Sequence, residues 1–200
     1  MLVLVVLGVA MLVRTFLVTP FSIPSGSMEQ TLQVGDRILV DRASYRFRDV
    51  RHGDVVVFDG SETFGPVDGG PPPRGPLRSL VRSVAAAVGM AGATETDYVK
   101  RVIGVGGDRV VCCDDAGRLT VNGRRVDERA YLHPGDDPSE LQFDVEVPAG
   151  RLWVMGDHRS ASRDSRAHLG RPGGGTVPVD DVVGRVVAVM WPLPRLGGVS

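Results

Sequence analysis

Lysine is almost absent from this 200-residue chain: of its 23 lysine and arginine residues, only Lys100 is a lysine. Where positive charge alone is wanted the two residues are near substitutes, and here arginine is taken every other time. Arginine stays protonated in any protein, whereas a lysine amine becomes neutral when burial strips its hydration. A lone lysine in such a background marks a position where the amine has to give up its proton. The competing reading is a compositional bias that thinned the lysines and left one by chance. Net charge is also lacking, at −1 with histidines neutral, so nothing points to nucleic acid as a partner. Cysteine is confined to the adjacent Cys112 and Cys113. Across a trans peptide, neighbouring Cα atoms sit about 3.8 Å apart, below the usual disulfide range, and in a strand the two side chains point to opposite faces. One buried and one outward thiol is the expectation. No internal repeat, heptad run or series of βαβ units is visible, and aromatics make up only 6 % of the chain.

Glycine (26 residues) and proline (14 residues) are abundant instead, the profile of a loop-rich β protein. The N-terminus stands apart. Met1–Val13 is apolar apart from glycine, and Phe16-Leu17-Val18 continues the run after Arg14 and Thr15. Eighteen helical residues rise about 27 Å, close to the roughly 30 Å of a hydrocarbon core, and Arg14 can snorkel to the interface. A cleaved leader is disfavoured, because no basic segment precedes the run and residues 19–24 lack a small-x-small exit. Residues 1–18 therefore read as an uncleaved transmembrane anchor, shortened at its cytoplasmic end, and residues 19–200 as the domain it carries. With so little flank, the anchor's orientation cannot be taken from its charges.

Within that domain, β-branched runs punctuated by Gly-Asp pairs predict strands at Arg37–Val40, Asp54–Phe58, Tyr98–Val105, Arg109–Cys113, Leu141–Val147, Leu152–Met155 and Val182–Trp191. Asn122-Gly123 predicts a hairpin between Leu119 and Val126. Residues 60–96 form an insert: a Gly/Pro-rich loop, then an amphipathic helix over 77–89 that packs on the domain or lies on a membrane surface. A β-rich subdomain is expected at about 112–148. The fold class is mainly β, built from antiparallel sheets, with one transmembrane helix and one short inserted helix.

Three clusters carry chemistry. Ser25-Gly26-Ser27-Met28 follows Pro24 just beyond the anchor, and by itself is ordinary loop composition. Paired with Lys100 it gains meaning, since a serine hydroxyl needs a base, and a desolvated lysine can serve as one. His52, His133, His158 and His168 all lie in polar, turn-like stretches with no orienting acid at fixed spacing. In the third cluster, Gly156 through Arg166, metal binding by Asp157, His158 and Asp164 matches no known ligand spacing. A bracing role for its Asp–Arg pair suits it better.

In this order behind an apolar N-terminal segment, these pieces make the chain similar to bacterial type I signal peptidases of the Ser/Lys dyad kind, with an actinobacterial cast, over nearly its whole length. The matching segments are Ile23–Met28 with Thr31-Leu32, Gly35-Asp36, Gly53–Phe58, Tyr98–Gly104 with Gly107-Asp108, and Gly156–Arg166. The resemblance implies Ser27 as nucleophile and Lys100 as general base. It implies an oxyanion hole from the Ser27 N–H and the Ser25 hydroxyl, and Ser162 as the hydroxyl that orients the amine. Gly156, Asp157, Asp164 and Arg166 would brace the loop, and Phe21, Ile23, Met28, Leu32, Tyr98 and Val99 would line pockets for small side chains. The implied activity is removal of signal peptides from exported preproteins after Ala-x-Ala sites, by a single-pass enzyme of the cell membrane with its catalytic domain outside. Its partners would be preproteins and membrane lipid, with no cofactor, metal or obligate protein partner. The chain departs from the family pattern at His158, where Asn is usual, at Ser160 and Ala161, usually Asp and Asn, and at Gly106, often proline. Two rivals use the same residues: a Ser/Lys peptidase that cleaves itself or one dedicated partner, and a degenerate, peptide-binding β domain.

Overall fold

The computed structural model describes residues 18–65 and 96–199; the expected anchor, apart from Val18, and the 77–89 helix lie outside them. Among the described residues no helix is long and apolar enough to cross a membrane. Twelve strands are described: β1 (Val18–Ser22), β2 (Arg37–Asp41), β3 (Val55–Asp59), β4 (Asp97–Val105), β5 (Arg109–Cys112), β6 (Thr120–Val121), β7 (Arg124–Arg125), β8 (Phe143–Glu146), β9 (Arg151–Met155), β10 (Val177–Pro178), β11 (Val182–Trp191) and β12 (Gly197–Gly198). Their pairing is antiparallel throughout. One sheet runs β1-β2-β11-β3-β4-β9-β10, with β12 added to β11, and a smaller one runs β7-β6-β5-β8. Val18 belongs to the sheet, opposite Asp41, and so cannot end the anchor helix as expected.

One turn design sets several of these strands. Gln33–Asp36, Arg51–Asp54 and Val105–Asp108 each close with an N–H of the aspartate donating to the carbonyl three residues back, at 3.0, 3.1 and 3.0 Å. The third residue is glycine each time, with φ of 90°, 82° and 94°, which a side chain resists. The aspartate carboxylate then accepts the first residue's N–H, at 2.8, 3.1 and 2.8 Å. This is the physical content of the Gly-Asp punctuation seen in the sequence. The Asn122-Gly123 turn forms likewise, with φ of 52° and 73° at the two residues, the signs a tight hairpin demands.

Apolar side chains fill three connected clusters. One joins β1, β2, β3 and β11 and contains Phe21, Ile23, Met28 and Leu32. A second lies around Val56, Phe58, Val102 and Val154. The third, with Ile103, Val110, Leu119, Phe143 and Trp153, holds the small sheet to the large one. The small sheet thus starts at Arg109 rather than 112. The insert leaves from the β3–β4 hairpin, where Asp59 pairs with Asp97 and Gly60 N–H donates to Thr96 O at 2.8 Å.

The expectation of two separate thiols is overturned. Cys112 and Cys113 are joined as a disulfide, across a cis peptide that brings their Cα atoms to 2.9 Å. The trans spacing of about 3.8 Å does not apply across this bond.

Candidate active site

Pro24 ends the extended entry from β1, Ser25 is still extended, and the chain then makes one turn of 3-10 helix over Gly26–Met28. Met28 is buried, and its carbonyl accepts from Thr31 and Leu32 N–H, so the turn carrying Ser27 is pinned to the core. Lys100 comes from the middle of β4, which pairs with β3 on one side and, from Arg101 on, with β9. Its side chain is buried, and Nζ donates to Ser27 Oγ at 2.6 Å across 73 residues of sequence.

Burial is the main influence on that amine, pushing it down from 10.5 to about 8. The negative charges of Asp164 and Asp157 pull the other way, and the Arg166 guanidinium adds to the lowering. The dominant cause is the one a general base needs, because desolvation penalises the ammonium and leaves the lone pair available.

Around the pair, Ser25 is exposed and its Oγ stands 3.5 Å from Ser27 Oγ. Asp164 is buried and bound by Arg166 through two bonds of 2.8 Å, while its Oδ2 also accepts Gly156 N–H at 2.9 Å. Those bonds, with burial working against them, hold the Asp164 carboxyl below the usual carboxylate range. Arg166 reaches on to Arg159 O at 2.9 Å. Ser162 makes no hydrogen bond to the amine here; its Oγ is buried and contributes to stabilising the Asp164 carboxylate, without a well-aligned hydrogen bond. It packs over Gly156, where a β-carbon would stand 2.3 Å from Ser162 Oγ and 2.5 Å from Ser27 O. Gly156→Ala therefore has to displace the Ser27 backbone, and a loss of about a hundredfold in any kcat/KM that depends on Ser27 is expected, read beside circular dichroism of the folded variant.

A cleft of about 210 Å³ opens beside the dyad, lined in part by Ile23, Met28, Tyr98, Val99, Ala161 and His168. Phe21 and Leu32 lie in the core cluster of β1 and β2, Phe21 opposite Ile38 and Leu32 buried beyond the Met28 turn; Ile23 and Met28 belong to the same cluster and also line the cleft. His168, assigned no role from sequence, lines the cleft with Nδ1 held on Asp164 O at 2.8 Å.

Sequence reasoning also missed Arg101. Its buried guanidinium grips Asp157 with Nε–Oδ1 and Nη2–Oδ2 distances of 2.9 Å, reaches Gly53 O at 2.9 Å and Thr31 Oγ1 at 3.1 Å, and covers the Tyr131 ring. Thr31 also donates to Asp157. Asp157 thus braces the loop against β4 and the Ser27 turn together. The only signal for this in the sequence was the side-by-side placement of Lys100 and Arg101 on one strand, which sends them to opposite faces.

Comparison with known proteins finds a match over residues 1–191 to the family described as signal peptidase, peptidase S26. A probable signal peptidase I of Mycobacterium leprae is 40 % identical, over 98 % of this chain and 76 % of its own length. Signal peptidase I of Mycobacterium tuberculosis is 43 % identical, over 92 % of this chain and 68 % of its own. Signal peptidase I of Pseudomonas fluorescens is 32 % identical, over 96 % and 72 %.

Proposed function

Because the chain belongs to the signal peptidase family, peptidase S26, we propose that it is a membrane-bound serine endopeptidase that removes N-terminal signal peptides from exported preproteins with a Ser27/Lys100 dyad. The observation that carries the dyad is the 2.6 Å contact between Ser27 Oγ and a buried amine held near 8. In this reading neutral Lys100 accepts the Oγ proton as the oxygen attacks the scissile carbonyl. The Ser27 N–H and the Ser25 hydroxyl stabilise the oxyanion. The ammonium returns its proton to the leaving amine, and the acyl-enzyme is then hydrolysed by water that Lys100 deprotonates.

In this reading the Ser162 hydroxyl, packed over Gly156, orients the amine. The small cleft supports a preference for Ala-x-Ala sites: Ile23 and Met28 are buried and close its wall, leaving room for side chains of alanine size. The extended stretches at Ile23–Ser25 and Asp97–Val99 border it on two sides, which suits a substrate added as a strand. A single N-terminal span, residues 1–17 in this reading, would hold the catalytic domain at the outer face of the cell membrane, where the processing site of a translocated preprotein emerges.

Cleavage of a fluorogenic Ala-x-Ala peptide in detergent tests this across pH. Below about 8 the rate is expected to rise about tenfold per pH unit, because the neutral fraction of the amine does so, and to level off above. An unperturbed lysine would keep the climb going past 10. A rate that stays flat from about pH 5 to about pH 10 in a folded enzyme would exclude a lysine base.

A further inference from the structure

Away from the dyad, three side chains from distant parts of the sequence converge. Glu29 follows the nucleophile by two residues, His133 lies in the segment between β7 and β8, and His158 lies in the loop after β9. Each offers one ligand atom, and the three atoms lie within 4.8 Å of one another, all from half-buried residues. Glu29 Oε2 stands 3.3 Å from His158 Nδ1, and the two imidazoles stack with centroids 3.9 Å apart and planes 11° apart. Nδ1 of His158 is itself buried and makes no hydrogen bond, so the contact with Glu29 is close but badly aligned for one.

The backbone fixes all three. His158 N–H donates to Ser27 O at 3.2 Å, and His133 N–H donates to Asp157 O at 2.9 Å. A plain Glu–His ion pair accounts for one ring only. It leaves the His133 ring stacked on the first and the buried His158 Nδ1 without a hydrogen bond. A metal ion takes up both nitrogen lone pairs once the two rings turn out of the stack, so that their in-plane lone pairs converge on it.

The geometry points to a site for a divalent transition-metal cation of the zinc type, held by Glu29, His133 and His158. Two imidazole nitrogens and a carboxylate suit a borderline-soft ion, with a fourth position left to water. Ligand atoms of a tetrahedral ion with bonds of about 2.0–2.1 Å stand about 3.4 Å apart. Glu29 and His158 are already at that separation, and the wider span closes by side-chain torsions of half-exposed residues. Asp136 is nearby chemistry but not a ligand here, because Ser160 N–H and Oγ occupy its carboxylate at 3.2 and 2.8 Å. The ion has no step in the proteolysis proposed above. It would tie the turn carrying Ser27 to the loop after β9 and to the segment before β8.

The test uses the full chain in detergent, stripped with a chelator and titrated with zinc, with cobalt as the optical probe. One equivalent of zinc is expected to bind and to raise Tm, and cobalt to give the visible bands of a four-coordinate ion. His133→Ala, His158→Asn and Glu29→Gln should each weaken binding by about tenfold or more, whereas His52→Ala, whose imidazole pairs with Asp108 at 2.6 Å elsewhere, should not. Absence of stoichiometric zinc binding to the wild type overturns the site, and so does binding that survives in full in both His133→Ala and Glu29→Gln. Neither readout involves peptide cleavage, so failure here leaves the peptidase reading standing.

Discussion

Ser27→Ala and Lys100→Arg are each expected to lower kcat/KM on an Ala-x-Ala substrate by about ten-thousandfold or more, and the double variant to be no worse than either single one. The two residues act as one unit: without the base the hydroxyl is a poor nucleophile, and without the hydroxyl the amine has nothing to activate. Arginine is the informative substitution because it retains the charge and loses the chemistry, its guanidinium being unable to release a proton at any pH the fold tolerates. The position is also buried, so a bulkier guanidinium strains its surroundings. Lys100→Met serves as the companion: it removes the amine without adding volume or charge. Near-wild-type cleavage by folded Lys100→Arg would end the dyad assignment. Equal collapse of Lys100→Arg and Lys100→Met, with native circular dichroism, would leave loss of the base as the common cause.

How much of this could be seen in the sequence depended on whether a feature was local. The Gly-Asp turns and the Asn122-Gly123 hairpin were legible because a positive φ and a side chain bonding three residues back are short-range requirements. Lys100 stood out through scarcity, and Ser27 only once paired with it. Arg101 was hidden for the opposite reason: in a chain that uses arginine for nearly every positive charge, nothing marks an arginine that is enclosed. Pocket roles for Phe21 and Leu32 come from the family resemblance, whereas their burial in the core cluster is set by strand pairing. Which face of an extended segment meets the core depends on its partner strand, and β2 lies beyond the reach of local pattern. Glu29, His133 and His158 have no ligand spacing to detect, because three separate segments bring them together. The disulfide escaped because a trans peptide was the reasonable assumption.

Arg101→Met is expected to cost about 3–5 kcal/mol of stability, more than any substitution of an exposed arginine, and Arg101→Met with Asp157→Leu to recover a large part of that loss. Both groups are out of water: the two side chains are 2 % and 0 % exposed. Desolvating both is expensive, and their mutual attraction repays it only while each has the other. Taking Arg101 alone strands a carboxylate that the Thr31 hydroxyl cannot neutralise, whereas taking both removes the stranded charge together with its partner. Exposed pairs give a contrast. Arg129 and Asp127 also form a two-pronged contact but stand in solvent, and Arg129→Met should leave the unfolding midpoint almost unmoved. Urea midpoints at unchanged m-value measure all four proteins on one scale. Activity should not follow stability in the double variant. Arg101 and Asp157 join β4, the Gly53 turn, Thr31 and the loop after β9, and apolar replacements keep the volume but not the direction of those bonds. A double variant that regains its fold yet stays slow would assign the pair to holding Lys100 and Ser27 in register. Full recovery of both would assign it to packing alone.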